Sequence, residues 1–304
     1  AYLHQNFESL QNATSDGNGT ANYGISKKDI EKFQGSYGAR REVVLDTLGI
    51  AYRTQRSQQE GVCYDLYAHP HSPEFDITPN AVRQGTIGNC YFLAAVAALA
   101  DERPAAIKNM IRDNRNGTYT VRFPGDRSHS VTVNAPTEAE MGLYNAGSDT
   151  GTWPIILEKA YGKYRQDMDA EPRGLTPAEG ADGGGLTSQT LELLTAKESS
   201  RTMTEACERE ALSRTLQRAL DRGAPITANT PAKIGRQQEG GETTKDGFYR
   251  AHAYTVLDFD PTGPDGGTVR IRNPWGGTDG TTKGTIDITL EQFRENFRDL
   301  VISS

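Results

Sequence analysis

Apolar residues recur at helical spacing in the first half of the chain and at strand spacing in much of the second half. The uninterrupted apolar run 91–100 predicts a helix over about 90–101 that ends before Pro104. Alternating apolar residues on both sides of the turn 124–126 predict a β-hairpin. A further apolar stripe predicts a second strong helix, and its members are Trp153, Ile156, Leu157, Ala160, Tyr161 and Tyr164.

A glycine-rich stretch, 180–185, separates this helical part from a part that is richer in strands. Beyond it the pattern predicts a helix near 188–195 and another over 205–220, opened by a capping box of Thr202 and Glu205. The later segments are listed here in order: strands at 226–229, 253–260, 268–272 and 285–289, then a helix at 290–297 that Thr289 and Gln292 begin. The fold class is therefore α+β.

Three parts follow from this pattern: an N-terminal segment 1–60 with two helical stretches, a helical lobe 61–182 and a β-rich lobe 183–304. The chain has 304 residues and a formal charge of -7, without basic clusters, which argues against nucleic acid as a partner. No apolar run reaches the length of a membrane span. We expect a monomer, and we favour the cytoplasm while leaving secretion open.

The three cysteines are too few for a disulfide framework, so each thiol needs its own interpretation. Cys63 and Cys207 lie in patterns that are typical of packed structural cysteines. Cys90 follows Gly88 and Asn89 at the head of the apolar helix, and Asn is a strong N-cap type.

A thiol in the first turn of a helix faces the positive end of the helix dipole and unpaired N–H groups. We therefore predict that the pKa of Cys90 is lowered and that the same N–H groups stabilise an oxyanion. Gln84 lies close enough in the sequence to supply a second donor. The alternative for Cys90 alone is a buried structural cysteine.

A thiol nucleophile needs a base and a group that orients the base. His252 begins one predicted strand, and Asn273 ends the next, beyond the turn 261–267. In an antiparallel hairpin that is symmetric about this turn, Tyr254 faces Ile271 and His252 faces Asn273. Asn273 would then fix the tautomer of the imidazole, and Trp275 would cover their bond.

Five separated motifs resemble those of the calpain family, which belongs to the papain clan of cysteine proteases. The stretch 84–95 (QGTIGNCYFLAA) resembles the nucleophile motif, and 153–163 (WPIILEKAYGK) resembles a helical motif of the family. The glycine stretch with the threonine and serine after it, the segment from His252 to Val256 and the segment 270–276 (RIRNPWG) are similar to three further motifs. The match covers about 62–304.

This resemblance implies a papain-like core of two lobes, with the active site in the cleft between them. It assigns Cys90 as nucleophile, His252 as general base and acid, Asn273 as the orienting residue and Gln84 as an oxyanion donor. Three positions depart from the usual family residues, because Asn89, Tyr91 and Ala251 stand where Asp, Trp and Gly are common in animal calpains.

The resemblance also implies two calcium sites in the core, but the acidic ligands are incomplete. Glu158 matches a ligand of the first site, whereas Ala81 stands where an Asp is usual. Around the second site the loop is short, and Lys283 and Thr285 replace acids. Since calcium binds several oxygen ligands, usually with carboxylates, we expect that no cofactor is required and that any calcium dependence is weak.

The N-terminal segment contains a pattern similar to an EF-hand loop, in which Asp16, Asn18 and Asp29 would be the calcium ligands. Thr14 replaces the first acid, and extra residues follow Gly19. The segment is therefore a degenerate EF-hand, or a solvated turn before a helix, which we favour.

The predicted function is a cysteine endopeptidase that hydrolyses peptide bonds through a thioester. Two alternatives stay open. One is another acyl transfer at the same thioester, such as deamidation or transpeptidation, because a Cys-His-Asn set does not fix the acceptor. The other is a catalytically silent binding module, against which the intact set of four residues argues.

Overall fold

A computed structural model describes residues 65–145, 149–169, 176–232, 243–276 and 284–304. The predicted N-terminal helices, the EF-hand-like segment with Asp16, Asn18 and Asp29, and Cys63 and Lys283 all lie outside these residues. The segments 63–135 and 144–304 belong to one compact unit, and residues 136–143 are described separately. The division into two lobes at residue 182 stays a prediction.

The structure has the mixed helix and sheet composition that the sequence predicts. In chain order the helices are α1 (Cys90–Glu102), α2 (Pro104–Met110), α3 (Glu138–Leu143), α4 (Trp153–Met168), α5 (Pro177–Ala181), α6 (Thr187–Thr195), α7 (Arg209–Asp221) and α8 (Leu290–Asn296). None of the helices within the described ranges is long and apolar enough to cross a bilayer.

Two antiparallel sheets contain the strands. Strands β1 (Ile111–Asp113), β2 (Thr118–Val121) and β3 (Val131–Asn134) form a three-stranded sheet in that order. The other strands are β4 (Ser199–Met203), β5 (Ile226–Asn229), β6 (Ala253–Asp260), β7 (Thr268–Arg272), β8 (Thr285–Thr289) and β9 (Asp299–Ser303). They form a six-stranded sheet in the order β4-β9-β5-β6-β7-β8.

Helix α1 is the most deeply buried element. Every residue from Tyr91 to Ala100 is buried, because the helix packs against β5 and β6 on one side and α6 on another. The Thr255 hydroxyl on β6 donates a 2.8 Å hydrogen bond to the Ala94 carbonyl and joins helix to sheet. Its five alanines let the helix lie close to its neighbours without long side chains intervening.

The β6–β7 hairpin forms as predicted, but its register differs from the symmetric one. Val256, not Tyr254, pairs with Ile271, and a bulge between Val256 and Asp258 shifts the pairing nearer the turn. The turn contains a short 3-10 segment and two glycines at positive φ, so it is not symmetric about its centre and the symmetric register was wrong. Extending the observed register places Asn273 level with Tyr254, two residues beyond His252.

The predicted capping box of Thr202 and Glu205 is wrong. Thr202 lies in β4, where it pairs with Leu300 of β9, and α7 begins four residues after Glu205. The polar sequence of β4 gives no strand signal, and its pairing with the C-terminal strand overrides the local preference. The second predicted capping box is confirmed, since Thr289 accepts a hydrogen bond from the Gln292 N–H at the start of α8.

Helices α4 and α5 cross at two glycines. A methyl group at Gly162 would overlap the Pro177 carbonyl oxygen, and one at Gly180 would overlap the Gly162 carbonyl oxygen. This close approach positions the buried face of α4, which carries Glu158, beneath the start of α1.

Replacing Gly162 with Ala should therefore destabilise the protein by about 1–3 kcal/mol, because the overlap is with backbone atoms. Helix propensity alone predicts the opposite sign, a gain of about 1 kcal/mol. Urea unfolding followed by circular dichroism measures the difference. Arg214→Ala on the exposed face of α7 is the control, and an equal or higher stability for Gly162→Ala would contradict the close crossing.

Candidate active site

A buried hydrogen bond joins two of the predicted site residues. The Nε2 atom of His252 lies 2.8 Å from Oδ1 of Asn273, and the two residues are 7 % and 0 % exposed. The contact is diagonal across the hairpin rather than directly cross-strand, and the imidazole is long enough to span that distance. The structure thus brings His252 and Asn273 together although the sequence-derived register was wrong.

Aromatic rings enclose this bond. The Trp275 ring lies 4.8 Å from the His252 ring between centroids, and Tyr249 lies 4.3 Å from Trp275. The Trp275 backbone N–H also donates to Asn273 Oδ1 at 3.0 Å. Trp275 remains 38 % exposed, so it lies between the His–Asn bond and solvent, as the sequence predicts.

The main chain of His252 is held by Thr230, which follows β5. The His252 N–H donates to the Thr230 hydroxyl at 3.0 Å, and the Thr230 N–H donates to the His252 carbonyl at 3.0 Å. Burial lowers the pKa of His252 to about 4, and the bond to Asn273 opposes part of that decrease. The imidazole is therefore neutral at physiological pH.

Cys90 is the first residue of α1, and its N-cap is Asn89, as predicted. The Asn89 side chain makes no capping bond, so it leaves the first-turn N–H groups of α1 uncapped. The residue is partly exposed, and its sulfur lies near the backbone N–H groups of Ala253, Tyr91 and Cys90. Since Ala253 follows His252, the fold brings the nucleophile candidate against the start of β6.

The net pKa shift of Cys90 is opposite to the sequence prediction. Burial raises the pKa of the thiol, and the three N–H groups lower it by less. The helix terminus therefore acts in the predicted direction, but desolvation of the sulfur outweighs it. A lone thiolate and a lone imidazolium are both disfavoured here, whereas a charge on each at the same time would be stabilised by their attraction.

Gln84 lies in the segment before α1 and is partly buried. Its Nε2 donates a 2.6 Å hydrogen bond to the Ile87 carbonyl, and its N–H donates to the Pro274 carbonyl at 2.7 Å. An amide nitrogen carries two hydrogens, so the bond to Ile87 uses one of them. The backbone bond to Pro274 attaches Gln84 to the residue that follows Asn273.

Arg272 reinforces that tie from the end of β7. Its guanidinium donates to the Val82 carbonyl at 2.8 Å and is nearly fully buried. Burial, with a smaller contribution from Arg83, lowers the pKa of Arg272 to about 10, so it stays charged. The segment that carries Gln84 is thus attached to the strand that carries Asn273.

The glycine stretch lies against the start of α1. The Gly88 N–H donates to the Asp182 carboxylate at 2.8 Å, and the Gly184 N–H donates to the Gly88 carbonyl at 3.2 Å. A methyl group at Gly185 would overlap the Tyr91 ring. Tyr91, which stands where Trp is usual in the family, therefore packs directly against the glycine stretch.

Glu158, predicted as a calcium ligand from the resemblance, is fully buried within α4. One carboxylate oxygen accepts from Asn89 Nδ2 at 2.7 Å, and the other accepts from the Asn145 N–H at 2.9 Å. Burial raises the pKa of Glu158 to about 8, against the lowering effect of these two bonds. The Ala81 carbonyl accepts from Asn145 Nδ2 at 3.0 Å.

This donor set does not fit calcium, which needs several oxygen ligands directed at one point. Both oxygens of Glu158 face N–H groups instead. Across the described ranges, no group of three or more His, Cys, Asp and Glu side chains is arranged to hold a metal.

Several residues that build the site were missed by the sequence analysis. They are Thr230, Tyr249, Asn145 and Arg272, together with the contact of Glu158 with Asn89. For Arg272 the sequence favours an exposed side chain, because Arg is rarely fully buried. The others contact the site through residues far away in the sequence, and no local pattern marks them.

Ala251, directly before His252, has a φ of 53° and lies in the left-handed region. The Ala251 N–H donates to the Pro231 carbonyl at 2.8 Å, which fixes this conformation. For a residue with a Cβ atom the left-handed region costs about 1–2 kcal/mol.

Ala251→Gly should raise the free energy of unfolding by about 0.5–1 kcal/mol, because relief of this cost exceeds the added entropy of the unfolded chain. Chemical denaturation measures the change. The same substitution in the extended strand β5, Ala228→Gly, should lower stability. If both variants lose stability equally, the conformation assigned to Ala251 is wrong.

Comparisons with known proteins identify the family of the chain. A sequence profile described as "Calpain family cysteine protease" matches residues 59–301. The calpain-2 catalytic subunit of Bos taurus is 27% identical over 221 residues, which cover 67% of this chain and 29% of the relative. Calpain-8 of Rattus norvegicus is 25% identical over 292 residues, covering 90% of this chain and 37% of the relative.

Calpain-9 of Homo sapiens is 26% identical over 220 residues and is covered over 30% of its length. The chain thus spans about a third of the length of these relatives. Because the profile match extends over most of the sequence, the chain belongs to the calpain family of cysteine proteases.

Proposed function

We propose that this chain is a cysteine endopeptidase that cleaves peptide bonds through a Cys-His-Asn triad and a thioester intermediate. The observation that carries the proposal is the buried bond between His252 and Asn273, formed beside the first turn of α1, where Cys90 lies. A base held by an orienting group next to a nucleophile is the arrangement that nucleophilic catalysis requires. Because relatives are covered over only a third of their length, substrate preference is left to experiment.

The His–Asn bond determines which imidazole nitrogen acts as base. Oδ1 of Asn273 is an acceptor, so Nε2 of His252 carries the hydrogen in that bond. In the neutral ring Nδ1 is then unprotonated and basic. In the proposed reaction Nδ1 takes the proton of the Cys90 thiol as the sulfur attacks the peptide carbonyl carbon.

The attack forms an S–C bond and places negative charge on the carbonyl oxygen. The Cys90 backbone N–H and the Gln84 amide are the proposed donors to this oxyanion. The tetrahedral intermediate then breaks its C–N bond, and the His252 proton passes to the leaving amine. The product of this step is a thioester on Cys90 and a new N-terminus.

Hydrolysis reverses the same sequence with water. His252 takes a proton from water, the hydroxide oxygen bonds to the thioester carbon, and the oxyanion is held at the same donors. The C–S bond then breaks, and the proton returns from His252 to the sulfur. Cover by Trp275 and Tyr249 keeps bulk water from competing for the His–Asn bond.

Cleavage of casein should require the Cys90 thiol and should depend on the Gln84 amide. Cys90→Ala should remove activity, and Gln84→Ala should lower kcat by about 10²–10³-fold, because one oxyanion donor is lost. Gel electrophoresis and a quenched fluorescent peptide measure these effects. Cys207→Ala is the matched control, because Cys207 packs against the core of the six-stranded sheet and should leave activity unchanged.

The following results would contradict the proposal that the chain is a cysteine endopeptidase. If wild type leaves casein intact with and without calcium, the chain does not hydrolyse proteins under these conditions. If it releases ammonia from glutamine side chains or joins peptides to amines while leaving the main chain intact, it is an acyl transferase. Equal cleavage by wild type and Cys90→Ala would remove Cys90 from the mechanism.

The value of kcat/KM should stay constant as the pH falls from neutral to about 5. Since the pKa of His252 is lowered to about 4, the neutral base is present above that value and is lost as the pH falls through it. Activity should therefore persist at about pH 5, whereas a histidine with the ordinary pKa of about 6.5 would be mostly protonated there. An acid limb centred near 6.5 would contradict the burial assigned to His252.

A further inference from the structure

We propose that Glu158 and Asn145 form a metal-free bridge that positions the nucleophile turn and the Gln84 segment, in the place where the family resemblance implies a calcium ion. This inference rests on the proposed function, because it assigns positioning roles for that reaction. It concerns two residues outside the proposed triad.

One arm of the bridge reaches the nucleophile. Glu158 projects from the buried face of α4 and accepts a 2.7 Å hydrogen bond from Asn89 Nδ2. Asn89 is the N-cap of α1, immediately before Cys90, and is itself fully buried. Holding the Asn89 side chain turns it away from the capping position, so the N–H groups near the Cys90 sulfur are left to the sulfur and the oxyanion.

The other arm reaches the Gln84 segment through Asn145. The second oxygen of Glu158 accepts from the Asn145 N–H at 2.9 Å. The side chain of Asn145 then makes two bonds: Oδ1 accepts from the Arg83 N–H at 2.5 Å, and Nδ2 donates to the Ala81 carbonyl at 3.0 Å. Arg83 immediately precedes Gln84 and Ala81 lies three residues before it, so the arm fixes the backbone from which Gln84 extends.

The chemistry of the bridge is complementary to hydrogen-bond donors and not to a cation. A calcium ion would take carboxylate and carbonyl oxygens as ligands. Here both Glu158 oxygens face N–H groups, and the Ala81 carbonyl is engaged by the Asn145 amide. Asn145 thus connects the carboxylate with the Ala81 carbonyl, a connection that a bound cation would otherwise provide.

A buried carboxyl group is costly, and an apolar residue would fill the space with less penalty. The network is directional, however, and its two ends lie at the residues next to Cys90 and Gln84. Hydrogen bonds of fixed geometry, together with packing, hold the residues of a site to within about 0.5 Å.

The test uses the full chain and separates the two arms. Asn145→Ala should lower kcat on a fluorescent peptide by about 100-fold with KM little changed, because Gln84 is displaced from the oxyanion. The rate at which iodoacetamide alkylates Cys90 should stay at the wild-type value, because the Asn89 arm remains. Above about pH 8, where the wild-type Glu158 carboxylate is ionised, Glu158→Gln should slow both kcat and alkylation several-fold, since its amide nitrogen would face an N–H donor.

Two controls carry the same chemical changes away from the site. Glu192→Gln alters a carboxylate that accepts from Ser199, and Asn114→Ala removes an amide in the β1–β2 turn. Both should leave kcat and the alkylation rate unchanged. Should Asn145→Ala fail to fold by circular dichroism, Asn145→Asp replaces it, because Asp keeps the acceptor for Arg83 but lacks the donor to Ala81.

Wild type should retain full activity in excess EGTA. Activity that appears only with calcium would contradict the metal-free bridge but not the proposed endopeptidase activity. A folded Asn145→Ala variant with the wild-type kcat would have the same meaning. Absence of peptide cleavage in every condition would instead refute the proposed function. The alkylation rates test the bridge in that case as well, since equal rates in wild type and Glu158→Gln would overturn it.

Discussion

The complete burial of α1 is the constraint on which the site depends. Ten consecutive residues after Cys90 are enclosed by β5, β6 and α6, so the helix cannot shift along its axis without opening the core. The position of its first turn is therefore fixed. Three features are attached to residues beside that turn: the His–Asn bond, the Gln84 segment and the glycine stretch.

Burial has an electrostatic consequence at this point. It lowers the pKa of His252 and raises that of Cys90, so each group resists carrying charge alone. In the proposed reaction, transfer of one proton from Cys90 to His252 would create both charges together, in a place that water does not reach easily. The low polarity that disfavours the separate ions is also what makes fixed N–H groups effective toward a developing oxyanion.

The sequence predicted the helices and strands that have strong periodicity, including α1, α4, β5–β8 and α8. It also predicted the Cys90, His252 and Asn273 candidates, because each lies at the end of an element that its own residues define. It failed where distant contacts decide the structure. The polar strand β4 exists because it pairs with β9, and the β6–β7 register depends on a bulge that no spacing indicates.

Tyr91 and Gly185 show how a contact can restrict two positions together. The Tyr91 ring occupies the volume that any side chain at 185 would need, and its hydroxyl interacts with Arg165 and the Ala181 carbonyl. The two positions must therefore change as a pair: a side chain at 185 requires a smaller residue at 91. The glycine at position 185, beside Cys90, is thus required by the size of the residue that follows Cys90.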